Sequence, residues 1–296
     1  MRNSVVKKAV IPAAGFGTRM LPFTKAVPKE LIPLVDKPVI QYVVEEAAAS
    51  GIEDILIVIS SGKEAILRHF NPAFELEQRL EQSGKELLLG ELREIGKGVN
   101  IQYVYQQQLN GLGDAVRYAR SFAGNEPFAL LLGDTVMDST CERPVIGQLI
   151  DVYSKYNSSV VAVSKVEPAK LSSYGVVGGT EAAPGITKIS KMVEKPAPDK
   201  APGNLAVTAR YVFTPAIFDA LADIEPGVNG ELQLTDAMVK LLGCEDVYGC
   251  EISGVRYDLG SKAGFIAANV EFALRDRKLK ELLGVKLENI LKEKML

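Results

Sequence analysis

A single histidine in 296 residues is the most consequential shortage in this chain. That residue, His69, stands between Leu67 and Phe70 near the end of an expected helix, the setting of a structural or surface side chain. Chemistry built on a histidine base, a His-ligated zinc ion or a Ser-His-Asp relay is therefore not expected. Cys141, Cys244 and Cys250 form an odd, widely spaced set without a C-x-x-C pair, which excludes a disulfide framework and a cysteine metal knuckle. No apolar run approaches the ~18 residues of a membrane helix. Lys7 and Lys8 interrupt the apolar residues near the N-terminus before a signal-peptide core can form. A cytoplasmic enzyme with no membrane partner is the resulting expectation. With 47% hydrophobic and 24% charged residues, the chain has the composition of a globular protein long enough to bury a substantial core.

Acidic residues are missing in one place that matters. The first 29 residues hold six Lys and Arg and no Asp or Glu, in a chain of net charge −3. Such a local excess implies a small anionic ligand rather than a basic, nucleic-acid-binding surface. The excess surrounds Val10 to Leu34, where a short apolar run, Ala9 to Ile11, passes into Ala13, Ala14, Gly15 and Gly17. Small residues let a backbone approach a ligand, and glycine permits the positive φ angles that aim successive N–H groups at one phosphate. A dinucleotide-binding turn would need a helix at once, and Pro22, Pro28 and Pro33 forbid a long one. Fixed charge on Arg19, Lys25 and Lys29 takes the place of the helix dipole. A plain glycine turn with solvated cations remains the alternative on these residues alone.

Further along, Val39 to Ala48 has helical spacing behind Pro38, with Gly51 as its stop, and Ile55 to Ile59 reads as a strand buried on both faces. A helix from Lys63 to Phe70 precedes a charged, Leu-bearing stretch, Glu75 to Ile95, expected to form one or two amphipathic helices. Strands follow at Ile101–Tyr105, Phe128–Leu132 and Val160–Val163, alternating with helices opening at Gly111 and Pro144. This alternation predicts an α/β fold with a doubly wound, mostly parallel sheet, whose ligands sit beyond the carboxyl ends of the strands. From Tyr174 the pattern shifts to shorter strands, at 175–178, 186–193 and 206–213. Helices at 215–222 and 231–242, strands at 247–252 and 255–259, and one long helix from Ser261 to about Leu279 complete the expected order.

Asp134 follows an apolar strand, so its carboxylate should project from the sheet rim; Asp258 likewise precedes a glycine turn. Either suits Mg²⁺, which takes one or two protein carboxylates and completes its shell with phosphate and water. On the residues alone, a turn or capping role is the commoner one for each. Lys195 precedes Pro196, which predicts an extended conformation. The amides of Gln106, Gln107 and Gln108 each offer a ligand both a donor and an acceptor.

The string A-A-G-F-G-T-R-M-L-P-F-T-K-A-V-P-K-E-L-I-P-L resembles the signature loop of sugar-nucleotide pyrophosphorylases, in detail that of bacterial UTP–glucose-1-phosphate uridylyltransferases. G-L-G-D-A-V, V-E-K-P, N-L-A-V, G-E-L-Q-L-T-D-A and Y-D-L-G-S-K-A-G follow in the order of that family, so the resemblance covers nearly the whole chain. It implies a Rossmann-like, glycosyltransferase-A-like mixed sheet in a single domain over 1–280. Its nucleotide-binding half is 1–165, with a helical insertion at about 72–98, its sugar-binding half is 166–280, and 281–296 forms a helical arm. It implies Mg²⁺-dependent formation of UDP-glucose and pyrophosphate from UTP and glucose 1-phosphate, in a homodimer or homotetramer. Catalysis would fall to Arg19, Lys29 and Lys195. The nucleotide would meet Ala13, Ala14, Gly15, Glu30, Gln106 and Gly111, and the sugar phosphate Gly175, Glu194 and Lys195. Asp134 and Asp258 would hold the metal, with Asp134 also beside the substrate. Two positions depart from the family pattern: Asp114 replaces an expected histidine, and Ala209 replaces a glycine, so that added charge or bulk can alter the base or sugar. The alternatives are a dTTP- or UTP-dependent transferase for another hexose 1-phosphate and a non-catalytic sugar-nucleotide sensor. A dehydrogenase is opposed by the proline-broken loop.

Overall fold

Ala9, Val10 and Ile11 are wholly buried because each face of their strand is covered by helices. The computed structural model describes residues 5–227 and 230–294; Arg2 of the basic N-terminal set and the last two residues of the expected arm lie outside them. In chain order the strands are β1 (Lys8–Pro12), β2 (Pro33–Leu34), β3 (Lys37–Pro38), β4 (Asp54–Ile59), β5 (Asn100–Tyr105), β6 (Phe128–Leu131) and β7 (Thr135–Ser139). They continue with β8 (Val160–Lys165), β9 (Gly175–Ala183), β10 (Ile186–Glu194), β11 (Leu205–Phe213), β12 (Val247–Glu251) and β13 (Gly254–Asp258).

Nine of them form one sheet in the order β5-β4-β1-β6-β11-β8-β12-β10-β9. Its pairings leave seven strands pointing one way, with β10 and β11 opposed. The sheet is therefore mixed and mostly parallel. Alternate side chains serve two cores. Ala9, Ile11, Ile55 and Ile57 pack under the helices Val39–Ala49 and Val145–Tyr156. Val10, Leu56, Val58 and Leu130 pack under Leu112–Arg117, Ile217–Ala222 and Leu234–Leu241. This is the doubly wound arrangement expected from the alternating elements. The charged insertion is two helices, Phe74–Gln82 and Glu86–Arg93, on which Phe74 and Leu87 are exposed.

Four expectations require correction. β7 was not anticipated; it pairs antiparallel with β13 in a separate ribbon. The 231–242 helix begins only at Leu234, because Leu232 instead exchanges backbone hydrogen bonds with the loop at 110–113: its N–H donates to Asn110 O at 2.7 Å, and Gly113 N–H donates to its carbonyl at 2.8 Å. The long helix from Ser261 is two, Lys262–Ala273 and Arg277–Lys294, since the Asp276 carboxylate accepts from Leu279 N–H at 2.8 Å and caps a new start. Lys195 does not extend its strand: φ is 44°, and its N–H is bonded to Tyr174 O at 3.0 Å. That hydrogen bond outweighs the preference set by Pro196.

Candidate active site

Strands β1, β4, β5 and β6 are parallel, so their carboxyl ends share one edge, and the phosphate-type loop, Gln106 and Asp134 all leave the sheet there. Pro22, Pro28 and Pro33 break the loop into three single 3₁₀ turns, Thr18–Met20, Phe23–Lys25 and Lys29–Leu31. Gly17 makes the first bend at φ 69°, where a Cβ would come within 3.1 Å of Lys29 and 3.2 Å of Thr24, so conformation and space both require glycine. The Thr24 hydroxyl closes the bend by donating to Gly17 O at 2.8 Å.

This folding back brings Lys29 Nζ to 2.6 Å from Asp134 Oδ2. Burial alone would lower the Lys29 pKa, but Asp134 and then Glu30 outweigh it and raise it above the usual lysine value. For Asp134 burial works upward, while the charge and hydrogen bond of Lys29, helped by Arg19, hold the carboxyl below its ordinary range. Glu30 is wholly buried and reaches Lys63 Nζ at 2.8 Å; desolvation raises its pKa against the pull of Lys63 and Lys29. Its second oxygen, Oε1, is buried without a partner.

These groups wall a cleft of about 530 Å³, lined on one side by Ala14, Gly15, Lys29, Glu30 and Asp134 and on the other by Gln106, Gly111 and Glu231. A second cleft of about 170 Å³ adjoins it, since Leu112 and Leu132 line both. There Glu194 accepts from the Thr235 hydroxyl at 2.7 Å. Gly175 faces it, and a Cβ on Gly175 would lie 3.1 Å from Glu194 Oε2. Arg256 lines the same cleft, its guanidinium 5.3 Å from the Tyr174 ring centroid and its Nε buried without an acceptor. A cationic loop with a carboxylate at the strand end, beside a smaller polar cleft, is arranged to hold a polyphosphate against a second, hydroxyl-bearing molecule.

The family described as nucleotidyl transferase matches residues 8–274. The chain belongs to that family. The transferase is 46% identical over 286 residues to the UTP–glucose-1-phosphate uridylyltransferase of Bacillus subtilis, with 97% of each chain covered. Among solved structures, a UDP-glucose pyrophosphorylase complexed with UDP-glucose superposes with a TM-score of 0.84 at 39% identity, covering 92% of this chain and 100% of the other. A UTP-bound enzyme of the same kind from Acinetobacter baumannii gives 0.87 at 35% identity, covering 98% and 99%.

Of the residues singled out in the transferase sequence, Ala14, Gly15, Lys29, Glu30, Gln106, Gly111 and Asp134 border the larger cleft and Gly175 and Glu194 the smaller. Gln107 and Gln108 are exposed outside both clefts, so of the three glutamines Gln106 is the one that lines the larger cleft. Ala13 is different: it lines neither cleft, and its N–H donates to Val58 O at 2.7 Å. Arg19 lines neither cleft but packs against Gly260, where a Cβ would meet its Nη2 at 2.7 Å and Asp258 Oδ1 at 3.0 Å. It thus stands between the two aspartates, adding to the field at Asp134. Lys195 is exposed, lines neither cleft and has Glu194 Oε1 at 3.5 Å as its ion-pair partner. The Gln106 amide nitrogen is turned toward the protein, donating to Asp114 Oδ2 at 2.8 Å and facing Gly111 O at 3.4 Å, which leaves its oxygen for the cleft. Lys63, Thr235 and Arg256 were missed. Thr235 lay inside the quoted string G-E-L-Q-L-T-D-A and Arg256 directly before Y-D-L-G-S-K-A-G, so both carried a signal; Lys63 carried none, since only the fold places it at a carboxylate.

Proposed function

We propose that this transferase makes UDP-glucose and pyrophosphate from UTP and glucose 1-phosphate. The observation that carries the reading is the pairing of Lys29 with Asp134 on a cleft continuous with the one holding Glu194, in a chain so similar to uridylyltransferases throughout its length.

A sugar 1-phosphate is mostly dianionic near neutral pH, its second pKa being about 6. Its oxygen attacks the α-phosphorus of UTP in line, the new P–O bond forming as the bond to pyrophosphate breaks. No proton must move, so the work left to the protein is alignment and charge neutralisation. Lys29 faces the triphosphate from the loop, and Arg19 adds positive charge from beside the two aspartates. Glu194 accepts hydrogen bonds from sugar hydroxyls, Gly175 leaves them room, and Lys195 swings from the rim onto the sugar phosphate. Glu30 Oε1 is an acceptor waiting for a nucleotide donor. Each charge-assisted hydrogen bond contributes roughly 1.5–3 kcal/mol.

Nucleotidyl transfer generally uses a divalent metal. Among the described residues no three His, Cys, Asp or Glu gather to hold one. That sparse donor set fits Mg²⁺, for which Asp134 and Asp258 would supply the protein oxygens, the remaining ligands coming from phosphate and water. When bound, the ion neutralises phosphate charge. No helix among the described residues is long and apolar enough to cross a membrane; we place the enzyme in the cytoplasm as a homodimer or homotetramer.

The test is pyrophosphate release with Mg²⁺, offering UTP, dTTP, ATP and GTP in turn with glucose 1-phosphate and galactose 1-phosphate. Release confined largely to UTP with glucose 1-phosphate supports the reading. Absence of release from every pair, with UDP-glucose binding retained, would leave a sensor.

A further inference from the structure

Asp114 lies in the first turn of the Leu112–Arg117 helix, 8% exposed, with Oδ2 accepting from Gln106 Nε2 at 2.8 Å. The same amide nitrogen also faces the carbonyl oxygen of Gly111 at 3.4 Å. A carboxylate and a backbone carbonyl are acceptors with nothing to donate, so only one orientation of the Gln106 amide satisfies both: nitrogen toward the protein, oxygen away. Among the described residues nothing donates to Gln106 Oε1, and Gln106 lines the larger cleft. Gly111, at φ 97°, closes the arrangement from the other side, where a Cβ would collide with Glu231 at 2.8 Å.

We propose that Asp114 is a positioning residue for base selection: it pins the Gln106 amide so that a bare carbonyl oxygen is what the nucleobase meets. Resting as it does on the UTP reading above, this specifies how uracil is told from cytosine. Uracil carries a hydrogen on its ring nitrogen between two carbonyls, and that N–H pairs with the oxygen of Gln106. Cytosine has a bare nitrogen at the same point, so two acceptors would face each other in a desolvated cleft. A neighbour able to donate would let the amide turn over and present its NH₂ to cytosine. Asp114 removes that option. Thymine shares the edge of uracil, so the device does not separate UTP from dTTP.

A residue that merely plugs the helix start would, when altered, weaken every nucleotide alike. The experiment therefore reads a ratio. Wild type, Asp114→Asn and Asp114→Leu are assayed for pyrophosphate release with UTP and with CTP at fixed glucose 1-phosphate, with thermal unfolding in parallel. Asparagine keeps the shape of aspartate but can show Gln106 either an oxygen or an NH₂. Asp114→Asn is expected to lower the UTP-to-CTP ratio of kcat/KM by roughly tenfold or more, through a higher KM for UTP and a lower one for CTP, with kcat for UTP little changed. Asp114→Leu moves the ratio the same way. An unchanged ratio in a folded, active variant overturns the role of Asp114 and leaves the UTP reading standing. A wild-type protein that uses no UTP overturns that reading itself.

Discussion

Lys29 Nζ lies 2.6 Å from Asp134 Oδ2, tying the loop after the first strand to the end of a strand more than a hundred residues later. The pair fixes the ammonium at the mouth of the cleft before any phosphate arrives, which is the preorganisation that phosphoryl chemistry needs. Replacing either partner, as Lys29→Ala or Asp134→Ala, should lower turnover by about 10²-fold or more, read as initial pyrophosphate release at saturating substrates.

The same pair sets an acid limit. The carboxyl of Asp134 is depressed below its usual 3.8, so its contribution to stability is present above that value and is lost as pH falls through the lower, folded one. Lys29→Met removes the main cause of the depression. Acid unfolding followed by circular dichroism should then begin at higher pH than in wild type.

Glu30 titrates the opposite way. Its folded pKa is raised from 4.5, so the folded chain holds that proton longer, and the contribution of this group falls as pH rises from 4.5 through the higher value. Lys63 is its ion-pair partner at 2.8 Å, and both are buried. Glu30→Gln or Lys63→Met alone should each cost about 3–5 kcal/mol, while the double variant recovers most of that loss. Urea unfolding of the four proteins measures the cycle.

Arg210, wholly buried, donates to Glu46 at 2.7 Å and to Thr135 O at 2.9 Å, so it braces the backbone directly after Asp134. Arg210→Met leaves the buried Glu46 carboxylate with the Ile146 N–H but without its cation and should destabilise by about 3–5 kcal/mol. Turnover should fall as well, because the strand end that carries Asp134 loses its support. Denaturant unfolding and initial rates below the melting range check both.

Ala209 borders the smaller cleft at φ 45°, a conformation costing a residue with a Cβ roughly 1–2 kcal/mol. Ala209→Gly relieves that strain but frees the unfolded chain, so stability should change by less than about 1 kcal/mol. The widened cleft should raise the rate with galactose 1-phosphate relative to glucose 1-phosphate, measured as a ratio of kcat/KM values.

The sequence by itself determined the local elements. The continuous apolar run Ile55 to Ile59 read as a strand buried on both faces, as it is, and prolines at 22, 28 and 33 settled that the glycine loop turns without a long helix. In the site it likewise marked the loop glycines and Asp134 at the ends of legible strands and Lys29 in a run of cations without acids, while Gln106 was separated from its neighbours only by the family resemblance. What tertiary structure alone decided are the joins. The ribbon of β7 with β13, the antiparallel entry of β11 between β6 and β8, and the pairs Lys63–Glu30, Arg210–Glu46 and Thr235–Glu194 connect segments far apart in the chain. Periodicity and propensity act over a few neighbours, whereas a buried ion or a strand edge finds its partner only after the chain has packed. The left-handed turn at Lys195 shows the same ordering of forces: the hydrogen bond from a distant backbone carbonyl prevails over the preference set by the next residue.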